Sequence, residues 1–257
     1  MQLLEGKKVA ITGGSAGIGR AIALEMAKHG ADVAINYYPD EKQRALAESL
    51  KTEIEALGRR YIAVAGDIGD PETGRSLVKK TVEAFGELTV FVSNAGICPF
   101  HEFTTMPEDV YYRTIQTNLN GAFFAIQAAA AQMKEQGKGG SIIAVSSISS
   151  MVGGEFQAHY TPTKAGLVSL MQSIAIGLGK HNIRCNALLP GTILTDINKE
   201  DLSDETKRKK MEDRIPLGRL GQADDLAGPA VFLASDLSKY VTGAQILTDG
   251  GAFVNLQ

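Results

Sequence analysis

Short, continuously apolar runs alternate with longer stretches of amphipathic spacing through most of the chain. Residues 8–11, 32–37, 61–65, 90–93, 141–146 and 183–189 read as strands buried on both faces, and 243–248 predicts a seventh. Between them, apolar positions at helical spacing predict helices over 20–29, about 40–57, about 71–85, about 109–136 and 159–180. Strands separated by helices favour a parallel sheet, because right-handed crossovers lay helices across both of its faces. The expected fold class is therefore α/β, a doubly wound parallel sheet of about seven strands. No Pro/Ser-rich linker divides the pattern, so residues 1–257 are expected to form a single domain. The stretch 193–217 is polar and charged between proline-bearing segments, and it reads as a substrate lid at the carboxyl edge of the sheet.

The turn after the first strand carries the first candidate chemistry. Thr12-Gly13-Gly14-Ser15-Ala16-Gly17-Ile18-Gly19 follows a strand and opens a helix. Gly13, Gly17 and Gly19 permit a tight turn, close approach to a pyrophosphate and close helix packing, while backbone N–H groups of Ser15 and Ile18 can face the phosphates. This is a Rossmann-type nucleotide turn, and the absence of a Gly-Lys-Ser/Thr ending argues against a nucleoside triphosphate loop. An acidic residue at the end of the second strand would favour NAD, but Asn36 is neutral and Asp40 lies beyond Pro39. No arginine accompanies the glycine turn, where Ala16 stands. Use of either NAD or NADP is expected. Asp67, followed by Ile68, is a candidate acceptor from the adenine amino group, with a helix cap before Pro71 as the plainer reading. Asn94-Ala95-Gly96 follows the fourth strand, where small residues let a cofactor approach the backbone.

Tyr160 and Lys164 are spaced i,i+4, which brings both to one helix face. A nearby lysine cation, together with the positive ring of a bound nicotinamide, stabilises the phenolate and lowers its pKa toward the range of a useful general base. Ser147, thirteen residues earlier across a glycine-containing loop, can orient a substrate oxygen, although strand alternation alone does not separate it from Ser146. Asn118 falls in the middle of the long helix expected over 109–136.

Composition narrows the partners. The 257 residues are 44% hydrophobic and 21% charged, with a formal net charge of -3. That balance favours a folded enzyme-sized core over disorder and offers no basic excess for nucleic acid. The dense basic run 207–210 sits beside Glu205, Glu212 and Asp213 and reads as a solvated helix face. No apolar run has membrane-spanning length, and the start of the chain lacks a signal-peptide pattern. Two cysteines, Cys98 and Cys185, fit a reduced, cytoplasmic compartment, and four scattered histidines have no metal-ligand spacing, so no metal is expected.

Taken in order, the glycine turn, Asn94-Ala95-Gly96, Asn118, Ser147, Tyr160-Thr161-Pro162-Thr163-Lys164, Pro190-Gly191 and Asp249-Gly250-Gly251 resemble the short-chain dehydrogenase/reductase family over nearly the whole chain. The resemblance implies that Tyr160 is the base, that Lys164 holds the nicotinamide ribose, that Ser147 orients the reacting oxygen and that Asn118 positions a water linked to Lys164. It places Pro190, Gly191 and Ile193 beside the nicotinamide, with Thr192 and Thr195 near its carboxamide or the phosphates. It also implies a homotetramer built on two long helices. Within the family, the segments 94–101, 146–149, 159–164 and 190–203 are similar to bacterial dehydrogenases that act on L-rhamnose. What this implies is oxidation of the anomeric hydroxyl at C1 to a lactone, with Phe100, Ser149, Gln157 and Thr192 as candidate sugar contacts. Glucose or another aldose, or a 3-ketoacyl or ketone substrate reduced with NADPH, are the alternatives.

Overall fold

A computed structural model of the chain describes residues 2–196, 198 and 201–255, the side chain of Asp201 excepted. Its seven strands are β1 (Lys8–Ile11), β2 (Asp32–Tyr37), β3 (Tyr61–Ala65), β4 (Val90–Ser93), β5 (Gly140–Val145), β6 (Ile183–Pro190) and β7 (Gln245–Thr248). They form one parallel sheet in the order β3-β2-β1-β4-β5-β6-β7. The order reverses between β1 and β4, and at such a switch point the loops leaving the two strands part to open a crevice. The predicted strands are all present, with ends moved by one or two residues.

The helices are α1 (Gly17–Lys28), α2 (Glu41–Ala56), α3 (Pro71–Phe85), α4 (Glu108–Ile115), α5 (Ala122–Gln136), α6 (Thr161–Leu178), α7 (Glu205–Asp213) and α8 (Ala227–Ala234). Two apolar layers cover the sheet. One packs Ile22, Met26 and Val231 against β1 and β2, and the other packs Leu77, Ala125, Ile126 and Met171 against the opposite face. Asp70 caps α3 by accepting from Glu72 N at 2.9 Å, so the capping role considered for Asp67 belongs to Asp70. The expected lid over 193–217 contains α7 and three residues, Ile197, Lys199 and Glu200, that lie outside the described residues.

Two elements differ from the sequence expectation. The helix over 109–136 is interrupted: α4 ends at Ile115, a π-helical turn runs over Gln116–Gly121, and α5 follows. Apolar periodicity does not register one widened turn, since the spacing resumes beyond it. The helix α8 was not expected because Gly228 and Pro229 disfavour helix interiors. Pro229 is the third residue of α8, within the first turn, where its missing N–H breaks no intrahelical bond.

The alanine-rich stretch of α5 is used within the chain. Ala122, Ala125 and Ala129 are buried, and a Cβ added at Gly74 of α3 would lie 2.8 Å from the Ala125 Cα. Gly74→Ala therefore forces α3 and α5 apart. The overlap outweighs the roughly 1 kcal/mol by which alanine favours a helix over glycine. A net loss of about 1–2 kcal/mol is expected, read as a lower urea midpoint at unchanged m-value.

Candidate active site

A cleft of about 1060 Å³ opens along the carboxyl ends of the strands. Apart from Gly19 and Asn118, every residue singled out from the sequence as a site residue lines it. Gly19 lies just behind the wall, where a side chain would meet the Gly13 carbonyl and the Asn94 amide.

Asn94 laces the crevice together at the switch point. Its Nδ2 donates to the carbonyl oxygens of Thr12 and Gly13, both at 3.0 Å, while the Thr12 hydroxyl accepts from Asn94 N at 2.9 Å and Ala95 N at 3.0 Å. The turns after β1 and β4 are thereby locked at one separation. Gly13 takes a positive φ of 62°, and a Cβ there would lie 2.9 Å from the Ala95 Cα. Gly17, at φ 52°, starts α1 with no side-chain cap from Ala16 and no acidic residue in the first turn. An uncapped helix N-terminus opening into a cleft is suited to an anion. Glycine-lined backbone, this helix end and the length of the cleft together fit a dinucleotide.

Asn36 has a different place from the one its position suggested. It is 2% exposed, and its Nδ2 donates to Gly66 O at 2.9 Å and Val64 O at 3.3 Å, while Gly14 N donates to its backbone oxygen at 2.9 Å. The side chain is a bracket between β2 and the end of β3. The outer rim of that end carries instead Tyr38, Gln43 and Arg113, none of which the sequence motifs single out. Ser15 Oγ donates to Gln43 Oε1 at 2.6 Å, and the Arg113 guanidinium lies 5.9 Å from the Tyr38 ring centroid. Burial would raise the pKa of Asp67, but Arg113 at 2.6 Å and the Gly69 N–H at 2.9 Å outweigh it and hold the carboxyl below its ordinary value.

At the other end, Tyr160 immediately precedes α6, and its carbonyl accepts from Lys164 N at 3.2 Å, which fixes the two residues one turn apart. The Lys164 Nζ lies 5.5 Å from the Tyr160 ring centroid and donates to Val145 O at 3.0 Å. Desolvation pulls its pKa down to about 8. Burial pushes the Tyr160 phenol above its ordinary value, only partly opposed by Ser147. In the cofactor-free site desolvation of the phenol dominates, whereas the lowering expected from the lysine cation and the cofactor's positive ring together concerns the loaded site.

Ser147 and Ser146 are now distinguished. Ser146 Oγ donates to Lys164 O at 2.7 Å in the interior, whereas Ser147 faces the phenol and accepts from Ser149 N at 3.0 Å. Asn118 is fully buried. Its Oδ1 accepts from Ile97 N and its Nδ2 donates to Ile97 O, both at 2.8 Å, so its amide braces the loop after β4. Gln157 Nε2 donates to Cys98 Sγ at 3.4 Å and Ser149 Oγ donates to Gln157 Oε1 at 3.4 Å, making a polar chain beside Tyr160. Phe100 and Thr192 also line the cleft. Cys98 and Cys185 are not joined in a disulfide.

The bracket formed by Asn36 makes a prediction against the simplest cofactor-switching design. Asn36→Asp places a carboxylate against the Val64 and Gly66 carbonyls, which raises its native pKa above the unfolded value of about 3.9. Between those two values the native state holds more protons than the unfolded state, so stability falls as pH rises. Relative to wild type, a loss of roughly 2–4 kcal/mol at pH 8 is expected, with partial recovery at pH 5 and no gain in preference for NAD. Urea unfolding at both pH values and cofactor titrations check it.

A family model described as enoyl-(acyl carrier protein) reductase matches residues 13–252. A curated relative from Sphingomonas sp. (strain SKA58), named L-rhamnose 1-dehydrogenase (NAD(P)(+)), is 65% identical over 257 residues, covering all of both chains. Another of the same name from Azotobacter vinelandii (strain DJ / ATCC BAA-1303) is 63% identical over 255 residues, 99% of this chain and 100% of the relative. Among solved structures, a short-chain type dehydrogenase/reductase from Mycobacterium marinum superposes with a TM-score of 0.87 at 34% identity, covering 98% of this chain and 96% of the other. With its parallel sheet, glycine turn and Ser147, Tyr160 and Lys164 gathered in one cleft, the chain belongs to the short-chain dehydrogenase/reductase family.

Proposed function

We propose that this protein is an NAD(P)-dependent sugar 1-dehydrogenase that oxidises the anomeric hydroxyl of L-rhamnose to L-rhamnono-lactone. The observation that carries the reading is the convergence of Ser147, Tyr160 and Lys164 at one end of a cleft that begins at a glycine turn. The full-length relatives named L-rhamnose 1-dehydrogenase (NAD(P)(+)) support the choice of sugar and of cofactor. Bound NAD(P)+ supplies the acceptor for the hydride that leaves C1, together with a positive ring charge. Beside that charge Tyr160 would release its phenolic proton to solvent and, as phenolate, take the proton of the C1 hydroxyl, so that loss of hydride and proton turns the C1–O bond into the lactone carbonyl. Ser147 holds that oxygen as its charge changes. Lys164 sets the electrostatics of the phenol and offers its Nζ to the ribose, and Asn118 is a positioning residue that fixes the Ile97 loop beneath both.

The glycine turn, Asn94-Ala95-Gly96 and Asp67 with Ile68 hold the dinucleotide, and Pro190, Gly191, Ile193 and Thr195 border its nicotinamide end. Phe100, Ser149, Gln157 and Thr192 form the sugar side, where several side-chain donors and acceptors suit a polyhydroxylated ring. Thr195, Met211 and Arg214 line the cleft from the segment 193–217, which supports a lid there. The exposed apolar side chains Tyr112, Phe123 and Ile176 on α4, α5 and α6 support a homotetramer joined through these helices. That Cys98 and Cys185 form no disulfide supports a cytoplasmic protein.

The test is a panel of L-rhamnose, D-glucose and a 3-ketoacyl thioester with each cofactor, in wild type and Tyr160→Phe. L-rhamnose is expected to give the highest kcat/KM, and Tyr160→Phe to lose about 10²–10⁴-fold in turnover while binding cofactor as before. Preference for the thioester, or turnover that survives Tyr160→Phe, contradicts the assignment.

A further inference from the structure

Two segments meet at the Tyr160 end of the cleft. The loop after β4 brings Cys98 and Phe100 to it, and the turn before α6 brings Phe156, Gln157 and Tyr160. They are joined by His101 N donating to Phe156 O at 3.1 Å and by Gln157 Nε2 donating to Cys98 Sγ at 3.4 Å. Tyr160 N in turn donates to Gln157 O at 2.9 Å, so the position of the phenol depends on this turn. His159, the residue before Tyr160, does not line the cleft. It is 1% exposed, and neither ring nitrogen has a hydrogen-bond partner among the described residues.

Burial holds the imidazole pKa below its ordinary 6.5. The Pro99 carbonyl attracts the charged ring without meeting hydrogen-bond geometry, and His101 disfavours the charge further. The ring therefore belongs to the seam between the two segments, since both groups lie on the loop after β4. The titratable groups on these segments are Cys98, His101 and Glu102 in the loop, and Glu155, Tyr160 and Lys164 around the start of α6. A neutral imidazole can fill such a place, whereas an imidazolium carries two donors and a full charge into it with nothing to receive them. With the native pKa below the unfolded one, the native state binds fewer protons, so stability present at neutral pH is lost as pH falls below 6.5. We propose that His159 is a positioning residue whose neutral ring holds the two walls of the sugar end together, and whose protonation in mild acid parts them and switches oxidation off. The inference rests on the reading of Tyr160 as the base and of this end of the cleft as the sugar site.

The test follows kcat/KM for L-rhamnose and the Kd of NAD+ from pH 8 to pH 5. Wild type is compared with His159→Phe and His159→Gln, each scored against its own value at pH 8. Protonation of the Tyr160 phenolate alone lowers kcat/KM about 10-fold per pH unit on the acid limb, and a second protonation at His159 steepens it toward about 100-fold. Wild type is expected to steepen in this way, with a rising sugar KM, while both variants keep the shallower limb. The pH dependence of NAD+ affinity is expected to be the same in all three proteins. A wild-type limb that stays at the shallower slope to pH 5 overturns the proposal even where a variant fails to fold. So does a steep limb that persists in a folded variant, or acid loss of wild-type NAD+ affinity in parallel with activity. Wild-type protein that oxidises L-rhamnose at no pH overturns the underlying reading instead.

Discussion

The feature around which the site is organised is a buried lysine. Lys164 is 4% exposed, and its ammonium is met by the Val145 carbonyl with no carboxylate partner among the described residues. Burying an uncompensated cation is unfavourable, and the depressed pKa expresses that strain. The surrounding structure has to hold it in place. β5 ends with its carbonyl aimed at Nζ, Ser146 ties the backbone of Lys164 to the same strand end, and Thr163 Oγ1 bonds Tyr160 O at 2.6 Å to shape the first turn of α6. The pressure falls on a group that remains largely charged at neutral pH and lies beside a phenol whose own burial resists ionisation. The phenol therefore stays protonated in the cofactor-free site.

The fold supplies this arrangement through two rigid seams. Asn94 and Thr12 lock the switch point, and Asn36 locks β2 to the end of β3, so both seams use amide or hydroxyl groups committed to backbone atoms. Side chains such as Asn36 and Asn94 are therefore part of the frame, whereas cleft-lining side chains such as Gln43 and Arg113 come from helices around the rim. The same division fits the proposed use of either cofactor. The strand end that usually reads the ribose has its polar group turned inward, and Asp40, which lines the cleft beyond it, caps α2 by accepting from Gln43 N at 2.7 Å.

Much of the fold was legible in the sequence, because buried parallel strands are short, apolar and separated by helices. Tyr160, Lys164 and Ser147 were legible for a different reason, since a helix turn and a strand end convert fixed spacing into fixed geometry. What escaped was local. The π-helical turn leaves the hydrophobic period on either side intact, Pro229 concealed α8 although it lies in a permissive first turn, and the inward direction of Asn36 depends on carbonyls from β3, which no reading of β2 alone contains. Arg113 belongs to no motif and lines the cleft only because α4 brings it to Asp67 in the loop after β3.

The most direct test is the titration of Lys164 itself. Its ¹³Cε resonance, assigned by loss of signal in Lys164→Arg and followed by NMR in cofactor-free protein, should report an apparent pKa of about 8. A value at or above the ordinary 10.5 would show an ammonium that is solvated or paired with a carboxylate, and would contradict the account of the site.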